Sequence, residues 1–248
     1  MSLILNTLIF AKDVENGSDQ VSLLDRVSNL GSIGVEVRRE YFTDIEKELP
    51  KVAQKAKADE LKVYYSVPDV LFEKDGSLNP KIKQYFAEGK IMGIKKIKFN
   101  IGNFDKFTGD LKAALGQFPT NEIEMNVEND QTQVSGSVPS LLSFLKAVNE
   151  VGLDIGYVYD LGNWAFTDQD AIDSAKSLAP YTKYIHLKNV INTNGNLSTS
   201  DDLNKGMYDW KKILKYLPND VDLALEYPMD NDQQMKSQMN LVQTLEEV

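Results

Sequence analysis

Along the chain, short runs with apolar residues alternating or clustered recur, and each gives way to a stretch with apolar residues three and four apart. The first kind predicts strands at Leu3–Phe10, Ile33–Arg38, Leu61–Val67, Ile94–Asn100, Glu122–Glu128, Ile155–Asp160, Tyr184–Asn189 and Val221–Tyr227. The second predicts amphipathic helices. "VPSLLSFLKAVNEVG" puts Leu141, Leu142, Leu145 and Val148 on one face, with Gly152 placed to end it. "YFTDIEKELPKVAQKAKA" opens on Thr43-x-x-Glu46, a capping-box spacing, with Pro50 falling inside or ending its first turn. Further helices are read in residues 19–30, 168–181, 208–217 and 230–248.

Eight strand-plus-helix units in 248 residues predict a single (β/α)8 TIM barrel over residues 1–248. A doubly wound open sheet is the structural rival. No low-complexity linker or shift in composition divides the chain. The segment "NGNLSTSDDLNKG" at 194–206 reads as a long polar loop, either a lid or a solvated connection.

In a barrel, alternate residues of each strand face the helices and the axis. Apolar parity sends Val35, Val37, Ile97, Phe99, Ile123, Met125, Val127, Tyr157, Tyr159, Ile185, Leu187, Leu223 and Leu225 outward. The other parity sends Glu36, Arg38, Lys98, Asn100, Glu124, Asn126, Glu128, Asp160, Tyr184, His186, Lys188, Ala224 and Glu226 inward, with Asn6 from the first strand. A purely structural barrel fills this space with Val, Ile and Leu. Unpaired charges there would cost several kcal/mol each, so the inward polar set predicts a site near the strand C-termini.

Composition narrows what the site can be. The formal charge of −10 argues against nucleic-acid backbone or an anionic membrane as partner. The absence of cysteine excludes disulfides and thiolate metal ligands, and agrees with a reducing, cytoplasmic setting. The opening "MSLILNTLIFAKD" is read as a first strand rather than a signal peptide, and no apolar run approaches membrane length.

The single histidine, in "YIHLKN", joins Glu128, Asp160 and Glu226 at the ends of four successive strands. Three carboxylates and an imidazole suit one divalent ion, Mn, Co, Zn or Mg, and crowding them without one raises at least one pKa. The competing reading makes His186 a core residue and the acids salt-bridge partners of Lys98, Lys188 and Arg38.

"VENDQ" at 127–131, "YDLGNW" at 159–164, "YIHLKN" at 184–189 and "LALEYP" at 223–228 resemble the sugar phosphate isomerase/epimerase group of xylose isomerase-like TIM barrels. "GVEVRRE" at 34–40 and "MYDWKKILKYL" at 207–217 resemble its second strand and last unit, so the resemblance spans the chain. It implies a divalent ion on Glu128, Asp160, His186 and Glu226, with Glu128 and Glu226 also moving protons beside a carbonyl. The expected activity is sugar isomerisation or epimerisation in carbohydrate metabolism. A lyase or dehydratase on the same scaffold, or a barrel that binds a sugar without catalysis, are the alternatives.

Asn6, Glu36, Arg38, Lys98, Asn163, Trp164 and Lys188 are the expected substrate contacts for a small sugar-like molecule. Asn163 stands where the family often has a histidine, so no second imidazole is available to shuttle protons. One histidine also excludes the trinuclear zinc cluster of the DNA-repair endonucleases of this fold. The three arginines all lie in the first 39 residues, which leaves no guanidinium clamp for phosphate in the last loops and favours an unphosphorylated or acidic substrate. A homodimer is compatible with the fold, though no residue marks one.

Overall fold

In the computed structural model, residues 2–244 are described. Eight parallel strands, β1 (Leu3–Asn6), β2 (Gly34–Arg38), β3 (Lys62–Phe72), β4 (Lys96–Gly102), β5 (Glu124–Glu128), β6 (Ile155–Asp160), β7 (Thr182–Leu187) and β10 (Asp222–Leu225), close on themselves in the order β1-β10-β7-β6-β5-β4-β3-β2. Closure, rather than the open sheet of the rival topology, brings the C-terminal ends of all eight to one mouth.

The outward parity packs against helices that include α3 (Ile45–Ala58), α4 (Ile82–Met92), α7 (Val138–Glu150) and α10 (Asp232–Gln243). Inside, Ile4, Tyr64, Val158, Tyr184 and Ala224 form a separate small core that packs against the inward polar side chains.

Several boundaries differ from the expected ones for local reasons. The first apolar run splits after Asn6, whose side chain accepts from Leu8 N at 2.9 Å and turns the chain into a 3-10 segment, Thr7–Phe10. The cap at the start of α3 lies one residue later than the expected box and its glutamate two residues later. Asp44 is the N-cap, and Glu48, not Glu46, reaches back to the backbone N–H groups of Thr43 and Asp44. Pro50 lies inside α3 without ending it. Gly152, with φ 74°, closes α7 as expected, where Leu153 N returns to Val148 O. The last four residues of the expected C-terminal helix, 245–248, lie outside the described residues.

The polar segment after β7 holds a hairpin that the periodicity did not disclose. β8 (Val190–Thr193) and β9 (Asn196–Thr199) pair antiparallel across Asn194-Gly195, both at positive φ, the pairing such two-residue turns favour. Asn189 anchors its base, donating to Leu203 O at 2.8 Å and to Tyr208 O at 2.9 Å. A Cβ on Gly206 would lie 2.0 Å from the Asn189 side chain, so that anchor needs glycine there. Among the described residues no helix is long and apolar enough to cross a membrane.

Candidate metal centre

Strand register sets the heights of the functional side chains. His186 on β7 lies level with Asp160 on β6 on one side and Ala224 on β10 on the other, and Glu226 follows immediately after β10. Glu128 ends β5, level with Asn100 of β4. All four site side chains are buried, and one donor atom from each lies within 4.8 Å of the others.

Each carboxylate is held on one oxygen. Asp160 Oδ1 accepts from the backbone N–H groups of Gly162 at 2.9 Å and Asn163 at 3.1 Å. Glu226 Oε1 accepts from Asn6 Nδ2 at 3.1 Å and Arg38 Nη1 at 2.7 Å. Glu128 Oε2 accepts from Lys98 Nζ at 2.5 Å. The second oxygens behave differently. Glu128 Oε1 and Asp160 Oδ2 are buried without a hydrogen-bond partner, and Glu226 Oε2 and Glu128 Oε1 each lie 2.9 Å from His186 Nδ1.

This donor set fits a divalent ion. Ligands at right angles around an ion with bonds of about 2.1 Å sit about 3.0 Å apart, close to the two 2.9 Å separations at His186 Nδ1. Glu128 Oε1, buried with no hydrogen bond, is an acceptor a cation would satisfy, and Asp160 Oδ2 is a second with only an ammonium beside it. The ion pairs of the competing reading also form: Lys98 with Glu128, Arg38 with Glu226, and Lys188 Nζ 2.7 Å from Asp160 Oδ2. They leave Glu128 Oε1 without a hydrogen bond, while Asp160 Oδ2 meets only the Lys188 ammonium.

The electrostatics express the crowding. Burial drives Asp160 up to about 6; Lys188 opposes this, while Glu128 and Glu226 add to it. Burial also disfavours the ionised forms of Glu226 and Glu128, but Lys98 and His186 outweigh it, with Lys188 adding at Glu226, and hold both below the ordinary value. For His186, burial opposes the charged form and is overcome by Glu36, Glu226 and Glu128, which place its pKa well above normal. Of the three carboxylates, only Asp160 is pushed up, and the other two are held down by the cations beside them.

Above the cluster opens a cavity of about 440 Å³, in the range of small-molecule sites. Of the expected substrate contacts, Arg38, Lys98, Asn163 and Lys188 line it. Asn163 does so with its amide largely engaged, donating to Asn129 O at 2.8 Å and accepting from Gln131 Nε2 at 3.2 Å. Three expected contacts lie elsewhere. Asn6 and Glu36 sit beneath the cluster, holding Glu226 and facing His186, and Trp164 is fully buried against Tyr159 at 5.7 Å. A tryptophan after a strand reads the same in sequence whether it faces a cavity or the core.

Sequence reasoning missed Asn129. It donates to Asp160 O at 2.9 Å and accepts from Asp160 N at 2.9 Å and Tyr157 O–H at 2.6 Å, clamping the end of β6. No periodicity marks a residue just past a strand, though its position next to Glu128 was a signal. The cavity also takes in Ser66, Asp130 and Thr199, the last from the hairpin.

No family model matches the sequence, and no curated protein matches it either. Solved structures do. The probable 3-DHS dehydratase AsbF of Bacillus anthracis, involved in petrobactin synthesis, superposes with a TM-score of 0.75 at 16% identity, covering 98% of this chain and 99% of that one. The IolI protein with a bound zinc atom gives 0.68 at 13% identity over 98% of both chains. D-psicose 3-epimerase of Clostridium cellulolyticum, solved with D-tagatose, gives 0.67 at 10% identity over 98% and 99%. The fold is that of the xylose isomerase-like TIM barrels, and its structural neighbours include epimerases and a dehydratase.

Proposed function

We propose that this barrel is a divalent-metal-dependent isomerase or epimerase of a small hydroxy-carbonyl substrate such as a ketose. The observation that carries the reading is the donor cluster: three carboxylates and one imidazole at the ends of four successive barrel strands, each carboxylate held on one oxygen and with donor atoms within 4.8 Å of one another, under a cavity of sugar-binding size. The fold shared with sugar epimerases supports it.

Glu128, Asp160, His186 and Glu226 would hold the ion. The ion, once bound, supplies electrophilic stabilisation of negative charge developing on the substrate oxygens. Glu128 and Glu226 rise from strands separated by β6 and β7, so they flank whatever occupies the centre. One carboxylate removes the proton beside the carbonyl, and the other returns one from the opposite side, which inverts the carbon. Return to the neighbouring carbon isomerises instead. Lys98 contacts both carboxylates, at 2.5 and 3.5 Å, and so favours their ionised, proton-accepting forms. General acid–base action of this kind contributes typically ~10²–10⁴-fold. Arg38, Lys98, Lys188 and Asn163 orient the substrate from the wall, while Asn6, Glu36 and Trp164 support that wall from behind.

A lyase is the second reading, favoured by Lys188. Its ammonium sits 2.7 Å from Asp160 and lines the cavity, where it can protonate a departing hydroxyl after the same first step. Incubating the Mn²⁺-loaded protein with a panel of ketoses and hydroxy-keto acids in D₂O separates the outcomes by NMR. Deuterium at the carbon next to the carbonyl with a new sugar supports isomerisation or epimerisation. An unsaturated or dehydrated product supports the lyase. No exchange on any member, from protein that binds the metal, would contradict both.

A further inference from the structure

A histidine ligand is useful only when the correct ring nitrogen is bare, and the group bonded to the other nitrogen decides which one that is. In this chain the deciding group is on the far side of the barrel. Glu36 of β2 is 1% exposed and does not line the cavity, so it lies out of reach of a substrate there. Its Oε2 lies 2.8 Å from His186 Nε2 and accepts from Tyr184 O–H at 3.0 Å. The Tyr184 ring meets the imidazole edge to face at 4.8 Å and fixes its plane. On the opposite edge of the ring, Nδ1 lies 2.9 Å from Glu128 Oε1 and from Glu226 Oε2 and hydrogen-bonds the latter, the contact a bound cation would replace.

Two further observations give Glu36 this role rather than that of a spare charge. Arg38, two residues on and on the same face, is engaged by Glu226 and Glu40. Among the described residues the one basic side chain within 4.0 Å of Glu36 is His186. The pair is also incomplete as it stands. His186 Nε2 and Glu36 Oε1 are both buried with no well-formed hydrogen bond, although the side chains touch. Unpaired buried polar atoms are costly, and a small turn of either group joins these two.

Resting on the metal-dependent reading above, we propose that Glu36, braced by Tyr184, is a positioning residue: it takes the Nε2–H of His186 and thereby presents Nδ1 as the ligand atom. Glu36 then acts on the ion only through the imidazole, and on the substrate not at all. The sequence alone could not reveal this, because β2 and β7 are not neighbours in the barrel and are separated by β1 and β10.

The single histidine makes the test unambiguous. Protein labelled with ¹⁵N only in histidine and loaded with Zn²⁺ is read by long-range ¹H–¹⁵N correlation. The expected result is a protonated Nε2 and a bare, zinc-shifted Nδ1. Glu36→Gln and Glu36→Ala should each lower Zn²⁺ affinity by ~10–100-fold and let the ring sample the other tautomer, with the smaller loss for glutamine. Tyr184→Phe, a gentler change, should lower affinity by less than Glu36→Ala. Wild-type protein with Nδ1 protonated and zinc on Nε2 would overturn the proposal without recourse to any variant. So would Glu36 variants that keep both the affinity and the ring signature. A wild type that takes up no Zn²⁺ would instead remove the metal-dependent reading itself, and this inference with it.

Discussion

Two buried carboxylate clusters sit on the same barrel and are built to opposite plans. Glu88 of α4, on the outer wall, spends both oxygens on neighbours. Its Oε1 accepts from Arg39 Nη2 at 2.8 Å and Gln84 Nε2 at 2.9 Å, and its Oε2 from Arg39 Nε at 2.9 Å and Tyr65 O–H at 2.7 Å. One acid, one bidentate guanidinium and two neutral donors close on themselves. At the mouth, three acids share Lys98, Lys188 and Arg38, and keep oxygens with no hydrogen bond. Glu88 is satisfied on both oxygens by its neighbours, whereas Glu128 keeps one buried oxygen without a hydrogen bond beside two further acids.

Substitutions should pull these two plans apart. The largest effect is expected at the mouth: Glu128→Gln and Glu226→Gln should each lower turnover by about 10²–10⁴-fold. Thermal denaturation of the metal-free proteins should show Glu128→Gln less stable than the wild type, because it removes the buried partner of Lys98 whose attraction outweighs repulsion from Glu226. On the outer wall stability alone should change. Glu88→Ala strands Arg39 and should destabilise by about 3 kcal/mol in a denaturant titration, with metal stoichiometry unchanged.

Ligand linkage sharpens the contrast. Adding the ion at 100 times its dissociation constant should stabilise the wild type by about 2.7 kcal/mol. That gain should survive in Glu88→Ala and vanish in His186→Ala.

The smallest effect is the pH dependence of the metal-free protein. Arg39 and Tyr65 overcome burial to hold Glu88 below its ordinary value of 4.5, and Lys98 and His186 do the same for Glu226. A depressed carboxylate contributes stability that is present above its unfolded value and lost as pH falls through the folded one. Stability should therefore decline as pH falls below about 4.5, and less steeply in Glu226→Gln than in the wild type. Asp160, raised to about 6, has the opposite sign: its contribution is full below its ordinary value of 3.8 and is lost as pH rises through 6. Asp160→Asn should therefore lessen the loss of stability between pH 4 and 7.

Much of this arrangement was legible in the sequence because a strand's period of two is rigid. Parity alone turned Glu36, Lys98, Glu128, Asp160 and His186 inward, and the barrel then had to bring them together. What parity does not carry is depth along the axis and contact across it. Glu36 and Arg38 share a face, yet one lies below the cluster and the other lines the cavity. Trp164 follows Asp160 closely but turns into the core, since the 3-10 turn Asn163–Phe166 reverses the chain there. The hairpin after β7 was hidden because its strands, Val190–Thr193 and Asn196–Thr199, are mostly solvated, so no apolar alternation announces them. Only its Asn194-Gly195 turn gave a local sign.

The most direct test of the account is the metal content of protein purified without chelator and then titrated with Mn²⁺. The expected result is one divalent ion per chain, lost in His186→Ala and Asp160→Asn and retained in Glu88→Ala. Wild-type protein that arrives without metal and takes up no Mn²⁺ would contradict it, and would leave the mouth cluster a set of salt bridges like the one on the outer wall.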